Sequence, residues 1–326
     1  MGRSFRKTVA LLAAALLALG GFAAFADDRQ PLIASREMPR LLLVQGSITE
    51  INDSSVRIQN QIETADYQDI ILNIHDGTAV IEAVSGDPMT VNGLKVGEYV
   101  YAYVSPAMTR SAPPIANAEA VIANIPADFA APSYLEVQDV AVSEDGTLRV
   151  TSEDNRLTLI LNADTPISAY LTKNVLTLKD VKPGVKLFAW SQVMTLSEPP
   201  QASPYKLMLM PYGYSGYLTV ENGAVALNGQ ALDLAEKPYA ERGVTMLPLR
   251  AIAEACGYEV GWNAETATAT MSRDGAEVYQ VTINSDMATL AGETITLGAS
   301  TVLKEGKTYI AANTLELCQN LKLVLR

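Results

Sequence analysis

Met-Thr-Arg-Ser-Ala-Pro-Pro at residues 108–114 recurs as Met-Thr-Leu-Ser-Glu-Pro-Pro at residues 194–200, so this 326-residue chain carries the pattern M-T-x-S-x-P-P twice. A second match precedes this motif. Residues 96–103 and residues 183–190 each hold a glycine that is followed five residues later by alanine and then by an aromatic residue. Further upstream the sequence pairs Leu72-Asn73 with Leu161-Asn162, and Thr78 with Thr165. Such self-similarity indicates a duplicated domain.

Each copy of the duplicated segment reads as short strands separated by turns. In the first copy, about residues 40–126, the runs 47–51 and 56–58 flank an Asn-Asp-Ser-Ser turn. In the second copy, about residues 134–211, the run 137–142 is followed by a Glu-Asp-Gly turn and another strand. This pattern predicts two small β-barrels or sandwiches, for which the oligonucleotide/oligosaccharide type of barrel is our working expectation.

A third unit, residues 218–326, is itself duplicated at an offset of 63. Its halves pair Asn228-Gly229 with Ala291-Gly292, and residues 243–247 with residues 306–310. Each half leads into a predicted short helix, Pro248–Cys256 in the first and Ala311–Gln319 in the second, and proline suits a first helical turn. The chain is therefore predicted to be mainly β, with a C-terminal α+β module of duplicated strand–helix halves.

The stretch G-V-T-M-L-P-L-R at residues 243–250, followed by V-G-W-N at 260–263, resembles the copper amine oxidase-like N-terminal domain, also called the stalk domain. The resemblance covers about residues 225–326. The second half departs from the family at residues 310–313, where Pro-Leu-Arg is missing, and at 318–320, where the usual capping glycine is missing. The resemblance implies a surface module and not an amine oxidase, because copper ligation there needs three histidines and this chain has one.

The first 26 residues have the features of a secretory signal peptide. Three basic residues within the first seven positions precede an apolar run, residues 8–25, which ends in the cleavage motif Ala-Phe-Ala at 24–26. The alternative is a permanent N-terminal membrane anchor, since the run is long enough to span a bilayer. We expect a secreted or extracellular protein, either released or associated with the cell wall. We expect no membrane insertion after the signal is removed.

The charge of the chain argues against nucleic acid as a partner. The net charge is −12, and removing the first 26 residues takes away three basic residues and no acidic ones. A chain this acidic repels phosphate backbones and anionic lipid head groups.

The residue inventory argues against catalysis, cofactors and metal ions. The single histidine, His75, lies at a predicted strand end and cannot supply a three-histidine metal site or a triad. Residues 213–217 lack the last glycine of a nucleophile elbow. The acidic turns 144–146 and 153–155 lack the ligand spacing of a calcium loop. We therefore predict a protein that is not an enzyme and that holds no cofactor or metal.

Two cysteines, Cys256 and Cys318, fall at nearly equivalent helix ends of the duplicated third unit. A disulfide is feasible in an exported protein if the halves pack those ends together. Two buried thiols in separate half-cores are the alternative, and the sequence leaves both open.

The repeated loops and the nearby aromatic residues form the candidate interaction surface. Its members are Tyr101, Tyr103, Thr109 and Ser111 in the first copy, and Phe188, Trp190, Thr195 and Ser197 in the second. Strand alternation places the two aromatic residues of each copy on one face, where flat rings beside hydroxyls suit stacking on the sugars of a wall polymer. In the alternative, the rings belong to a core and the prolines stiffen a hairpin loop.

Three functional hypotheses follow from the sequence. The leading one is an exported non-catalytic cell-envelope protein whose β modules bind wall polysaccharide, peptidoglycan or a surface protein. The second is a structural spacer or assembly subunit that binds no glycan. The third, a remote one, is a hydrolase with paired carboxylates across a cleft between domains.

Overall fold

A closed β-barrel comes first in the structure, a computed structural model that describes residues 41–326. The strands of this first barrel are β1 Leu42–Asn52, β2 Ser55–Gln59, β3 Asp69–Asn73, β4 Ala79–Glu82, β5 Tyr99–Met108 and β6 Ile115–Ala123. Strands β1, β2, β3, β6 and β5 close the barrel, with β3 parallel to residues 115–117 of β6. Strand β4 runs parallel to residues 120–123 of β6, along the same edge as β3 and opposite β5. The predicted small barrel is confirmed.

The core of the first barrel follows from strand alternation. On β5, Val100, Ala102 and Val104 point inward and are fully buried, while the tyrosines between them face the other way. On β1, Gly46 lies so close to β2 that an added Cβ would sit 2.6 Å from the carbonyl oxygen of Gln59. A side chain at residue 46 would therefore force the two strands apart.

The second barrel repeats the first in its strand order. Its strands are β7 Ser133–Val142, β8 Leu148–Ser152, β9 Thr158–Leu161, β10 Ile167–Ala169, β11 Lys186–Trp190, β12 Gln201–Ala202 and β13 Lys206–Leu209. Strand β12 runs parallel to β9, and β13 pairs with both β11 and β10. Together β12 and β13 take the place of β6, interrupted at residues 203–205.

The same backbone hydrogen bonds recur in both barrels. Gly97 N donates to Ile48 O at 2.7 Å, and Gly184 N donates to Val137 O at 2.7 Å. The turn before β4 is closed by Thr78 bonding to His75, and the matching turn is closed by Thr165 bonding to the residue at position 162. The sequence match of Asn73 with Asn162 is therefore wrong, because the structure sets His75 opposite Asn162.

The third unit is an α+β module. Its elements are β14 Gly216–Glu221, β15 Ala224–Leu227, β16 Gln230–Ala231, β17 Tyr239–Glu241, β18 Val244–Pro248, α1 Leu249–Ala255, β19 Glu259–Asn263, β20 Thr268–Arg273, β21 Ala276–Thr282, β22 Met287–Leu290, β23 Glu293–Thr296, β24 Val302–Lys304, β25 Lys307–Ala311, α2 Ala312–Gln319 and β26 Leu321–Leu325. The predicted helices are confirmed to within one residue at each end.

The two halves of this unit end their helices in the same way. Gly257 follows α1 and Asn320 follows α2, and both adopt the left-handed conformation, at φ of 82° and 53°. Asparagine tolerates this conformation better than most residues. Asn320 therefore caps the second helix without the glycine that the family pattern contains.

A buried aromatic cluster joins the two barrels. Tyr134, Phe188 and Trp190 of the second barrel pack against small and branched side chains of β4 and β6. The Trp190 indole Nε1 donates a hydrogen bond of 2.6 Å to Ala83 O in the first barrel. At the edge of this contact, Lys186 pairs with Glu119 at 2.7 Å.

A buried charge cluster joins the second barrel to the third unit. Lys322 on β26 has no exposed side-chain surface, and its ammonium group bonds to Glu136 at 2.8 Å and also to Glu153. Four residues further on, directly after the end of β26, Arg326 binds the Asp139 carboxylate through hydrogen bonds of 2.5 and 3.0 Å. Buried charges are tolerated only when paired in this way.

Both cysteines are free thiols, and both pack in the one core of the third unit. The alternative of two thiols in separate half-cores is therefore right that the thiols are free and wrong that the half-cores are separate. Burial raises the pKa of the Cys256 and Cys318 thiols from their ordinary 9.0 to about 11, and Arg273 partly offsets this for Cys256. The folded state favours the neutral thiols, so their contribution to stability is complete below pH 9 and is lost as the pH rises from 9 to about 11.

We expect both thiols to react slowly with a disulfide reagent at pH 8 in the native protein, because they are buried and neutral there. In denaturant without reductant, the expected result is rapid titration of two thiols per chain. Fewer than two thiols in the denatured, unreduced protein would mean that Cys256 and Cys318 pair.

Candidate functional site

Two loops at matching places on the two barrels carry the repeated motif. The first loop, residues 109–114, connects β5 to β6, and the second loop, residues 195–200, is the last part of the connection from β11 to β12. Both contain a cis peptide bond before the first proline, Pro113 in one and Pro199 in the other.

The two hydroxyls of the first loop hold it in one conformation. Thr109 Oγ1 lies 2.6 Å from Ser111 Oγ, which donates to Pro113 O at 2.7 Å. Ile115 N donates to Thr109 Oγ1 at 2.8 Å. Because the serine proton is used on the proline carbonyl, the threonine hydroxyl must donate to the serine. The result is a directed chain of hydrogen bonds that spans residue 110.

The second loop has the same chain of hydrogen bonds. Thr195 Oγ1 lies 2.6 Å from Ser197 Oγ, Ser197 donates to Pro199 O at 2.9 Å, and Gln201 N donates to Thr195 Oγ1 at 2.8 Å. We call this arrangement the brace in both loops. Aligned hydrogen bonds polarise and strengthen one another, so each brace restrains its loop more than isolated bonds would.

Each loop is also fixed to its barrel by backbone bonds. Ile71 N on β3 donates to Pro114 O at 2.9 Å, and Thr158 N on β9 donates to Pro200 O at 3.0 Å. The last proline of the motif therefore continues the barrel sheet, and the residues before it project from a rigid base.

The side chain between the two braced hydroxyls is exposed in both loops. It is Arg110 in the first loop and Leu196 in the second, and the leucine has a relative exposure of 105%. Val193, at 77% exposure, and Met194, at 46%, extend the apolar surface beside the second loop. A single exposed leucine does not by itself indicate a binding site. Because the brace holds Leu196 at the loop surface, its side chain can contact a partner.

The hydroxyls of the predicted interaction surface are thus committed to the brace. Thr109, Ser111, Thr195 and Ser197 are exposed, but their hydrogen-bonding capacity is largely spent within the loops. They shape the loop and do not offer a free row of donors to a sugar.

The aromatic part of the predicted surface is not a surface. Phe188 and Trp190 have 0% and 0% relative exposure, and Tyr101 and Tyr103 are half-buried in the same cluster. Burial also raises the pKa of the Tyr103 hydroxyl. Alternation does place each pair on one face, as predicted, but that face packs barrel against barrel. Stacking of Phe188 and Trp190 on a wall polymer is therefore corrected to a core role.

A cleft of about 630 Å³ runs between the barrels and the third unit. Its carboxylates are paired with cations: Glu119 with Lys186, Glu136 and Glu153 with Lys322, and Asp154 with Arg156. A catalytic pair needs two carboxylates that face one substrate, whereas each of these carboxylates faces a cation. Glu119, Glu136 and Glu153 join different parts of the molecule through these pairs, while Asp154 pairs within its own turn.

The remaining candidates from the sequence have local roles. His75 is exposed in a turn, where its Nδ1 accepts a hydrogen bond of 3.1 Å from Gly77 N. Asp145 bonds to the Thr147 backbone within its own turn. Across residues 41–326, three or more His, Cys, Asp or Glu side chains nowhere gather in a metal-binding arrangement. The same part of the chain has no helix long and apolar enough to cross a membrane.

Sequence reasoning missed the two residues that the loops present. Comparison of the copies drew attention to the shared positions of M-T-x-S-x-P-P, which proved to be the scaffold. The first x of the motif, arginine in one copy and leucine in the other, was assigned no role. A position that varies between two otherwise matching motifs was the signal that could have found it.

Comparison with known proteins shows similarity over parts of the chain. Residues 226–321 match the model of the copper amine oxidase N-terminal domain, as the resemblance predicted, and that domain is a non-catalytic stalk-type module. A curated relative from Brevibacillus choshinensis, described as "Protease inhibitor", is 34% identical over 91 residues. That match covers 28% of this chain and 28% of the relative, so the chain spans little more than a quarter of the relative's length.

Proposed function

We propose that this protein is an exported, non-catalytic inhibitor of serine proteases that acts through its two braced loops. The observation that carries the proposal is the brace itself, which holds an exposed side chain at residue 110 or 196 between two tied hydroxyls. A serine protease selects its substrate through a specificity pocket that accepts one key side chain. Each loop presents such a side chain at a bend of the backbone that is already folded.

Pre-organisation is what would turn a substrate-like loop into a tight ligand. Ordering the backbone of one residue costs about 1–2 kcal/mol, and a loop that is already ordered avoids this cost on binding. Protease–inhibitor complexes form with little change in backbone shape for the same reason.

The brace also explains how the loop would resist cleavage. The protease serine hydroxyl attacks the carbonyl carbon of residue 110, forms an ester and breaks the amide bond to Ser111. The serine proton passes through the protease histidine to the new amine of Ser111. Since the Ser111 side chain stays tied to Thr109 and Pro113, that amine remains beside the ester and attacks it again. The amide and the free protease serine are both restored.

The description of the relative as "Protease inhibitor" supports inhibition as the class of activity in this proposal. Export supports it as well, since an extracellular inhibitor meets extracellular proteases. Export rests on the first 26 residues, which lie outside the described part of the chain.

The test is inhibition of trypsin, chymotrypsin and subtilisin by the mature chain, residues 27–326. We expect tight inhibition of at least one of them, with mass spectrometry of aged complexes showing slow, partial cleavage after residue 110 or 196. Absence of inhibition at micromolar concentrations of the chain, or rapid complete cleavage of both loops, would refute the proposal.

Retention at the cell wall is a second proposal, for which the third unit offers the better surface. Trp262, 44% exposed, lines a cavity of about 680 Å³ with Leu303 and Lys307, and an exposed ring of this kind can stack on a sugar. Co-sedimentation of residues 27–326 with purified sacculi tests this proposal. We expect Trp262→Ala to abolish pelleting. The control is Tyr205→Ala, which removes an exposed tyrosine elsewhere and should leave pelleting unchanged. No pelleting of the unaltered chain would leave the spacer role, which the buried contacts between the modules favour.

A further inference from the structure

We infer that the two loops are separate inhibitory sites for two classes of serine protease: the first for enzymes that cleave after arginine or lysine, the second for enzymes that cleave after leucine or other large apolar residues. This inference rests on the proposed function and assigns each loop its target. The observation behind it is that two matching braces present two chemically different side chains, Arg110 and Leu196.

Arg110 is suited to a specificity pocket with a carboxylate at its base. It is exposed at the loop tip, and within residues 41–326 it takes part in no ion pair, whereas Arg57 and Arg326 are held by carboxylates. A planar guanidinium forms two parallel hydrogen bonds to a carboxylate. Its long apolar stem would fill the walls of the pocket.

Leu196 is suited to an apolar pocket. Its side chain is fully exposed, so all of its surface is available to be removed from water on binding. The exposed Val193 and Met194 precede it by three and two residues. In the first loop Ala107 stands in the place of Val193. The second loop therefore surrounds its tip with apolar surface, which a pocket lined by apolar side chains would accept.

Each site is built on its own barrel. The first loop is anchored to β3 through Pro114 and the second to β9 through Pro200. The two braces share no residue and no hydrogen bond. Exchanging the tip residue of one loop should therefore change the target of that loop and leave the other loop as it was.

The test is to titrate trypsin and chymotrypsin with the mature chain and with the tip variants Arg110→Leu and Leu196→Arg. The unaltered chain should inhibit one trypsin and one chymotrypsin per chain. Arg110→Leu should weaken trypsin inhibition by about 1000-fold, the loss expected when a central anchor residue is removed, and should give two chymotrypsin sites. Leu196→Arg should do the reverse and give two trypsin sites.

The controls separate failure of this inference from failure of the proposed function. Arg149→Leu, at an exposed arginine on β8, should leave both stoichiometries unchanged, and circular dichroism should show every variant folded. Inhibition that persists with unchanged stoichiometry in both tip variants would overturn the assignment of the loops while leaving inhibition itself in place. Lack of inhibition by the unaltered chain would instead overturn the proposed function.

Discussion

Lys322→Met is expected to lower the free energy of unfolding by about 3–5 kcal/mol, because it leaves two carboxylates without their cation in a buried site. Lys322 has 0% side-chain exposure, and its partners Glu136 and Glu153 have 8% and 12%. Methionine keeps the length and apolar stem of lysine, so the loss reports on the charge and not on packing. Denaturant unfolding of the mature chain, followed by fluorescence, measures it.

The matched control is Lys307→Met, which removes a lysine from a pair with Glu236 at the surface, where the lysine is 56% exposed. We expect no measurable change in the free energy of unfolding there, because exposed ion pairs are screened by water and salt. The double variant Lys322→Met with Glu136→Gln should recover part of the stability lost in the single variant. Equal, small effects of Lys322→Met and Lys307→Met would show that the buried cluster does not hold the joint.

Removal of the brace from the second loop is expected to convert that loop from an inhibitor into a substrate. Thr195→Val combined with Ser197→Ala removes all three hydroxyl-dependent bonds of the loop. At roughly 1 kcal/mol for each bond, affinity for chymotrypsin should fall about 100-fold. Cleavage after Leu196 should become rapid and complete, because the new amine of residue 197 is no longer held. Inhibition constants and mass spectrometry of the products measure both effects.

The first loop provides the internal control for this experiment. Its own brace at Thr109 and Ser111 is untouched, so trypsin inhibition by the same variant should be unchanged. The reciprocal variant, Thr109→Val with Ser111→Ala, should show the opposite pattern. If the braceless second loop still inhibits chymotrypsin with its original affinity and stays intact, rigidity is not the source of inhibition.

The fold was largely accessible from the sequence because the signals for it are local. Alternation of apolar residues predicted the strands of the barrels, and the match of residues 243–250 to a known domain predicted the third unit. Closure of the barrel was less accessible, because it depends on the parallel pairing of β3 with β6, whose residues are 44 positions apart in the pair Asn73 and Asn117.

The site was only half accessible for a related reason. The sequence indicated the loop hydroxyls through their repetition, but it did not show that Thr109 and Ser111 bond to each other and leave Arg110 outside. It also placed Phe188 and Trp190 together on one face without showing that the first barrel covers that face. Which face of a strand meets solvent is decided by packing between domains, and no local pattern encodes it.

The shared aromatic cluster has a practical consequence for anyone dividing this protein into pieces. A fragment that contained only the second barrel would expose Tyr134, Phe188 and Trp190 to water together, and a fragment with only the first would expose Ile81 and Ile122. Patches of this kind promote aggregation of truncated chains. The contributions of the two barrels are therefore better separated by point substitutions in the intact chain than by truncation, and expression trials should keep both barrels on one polypeptide.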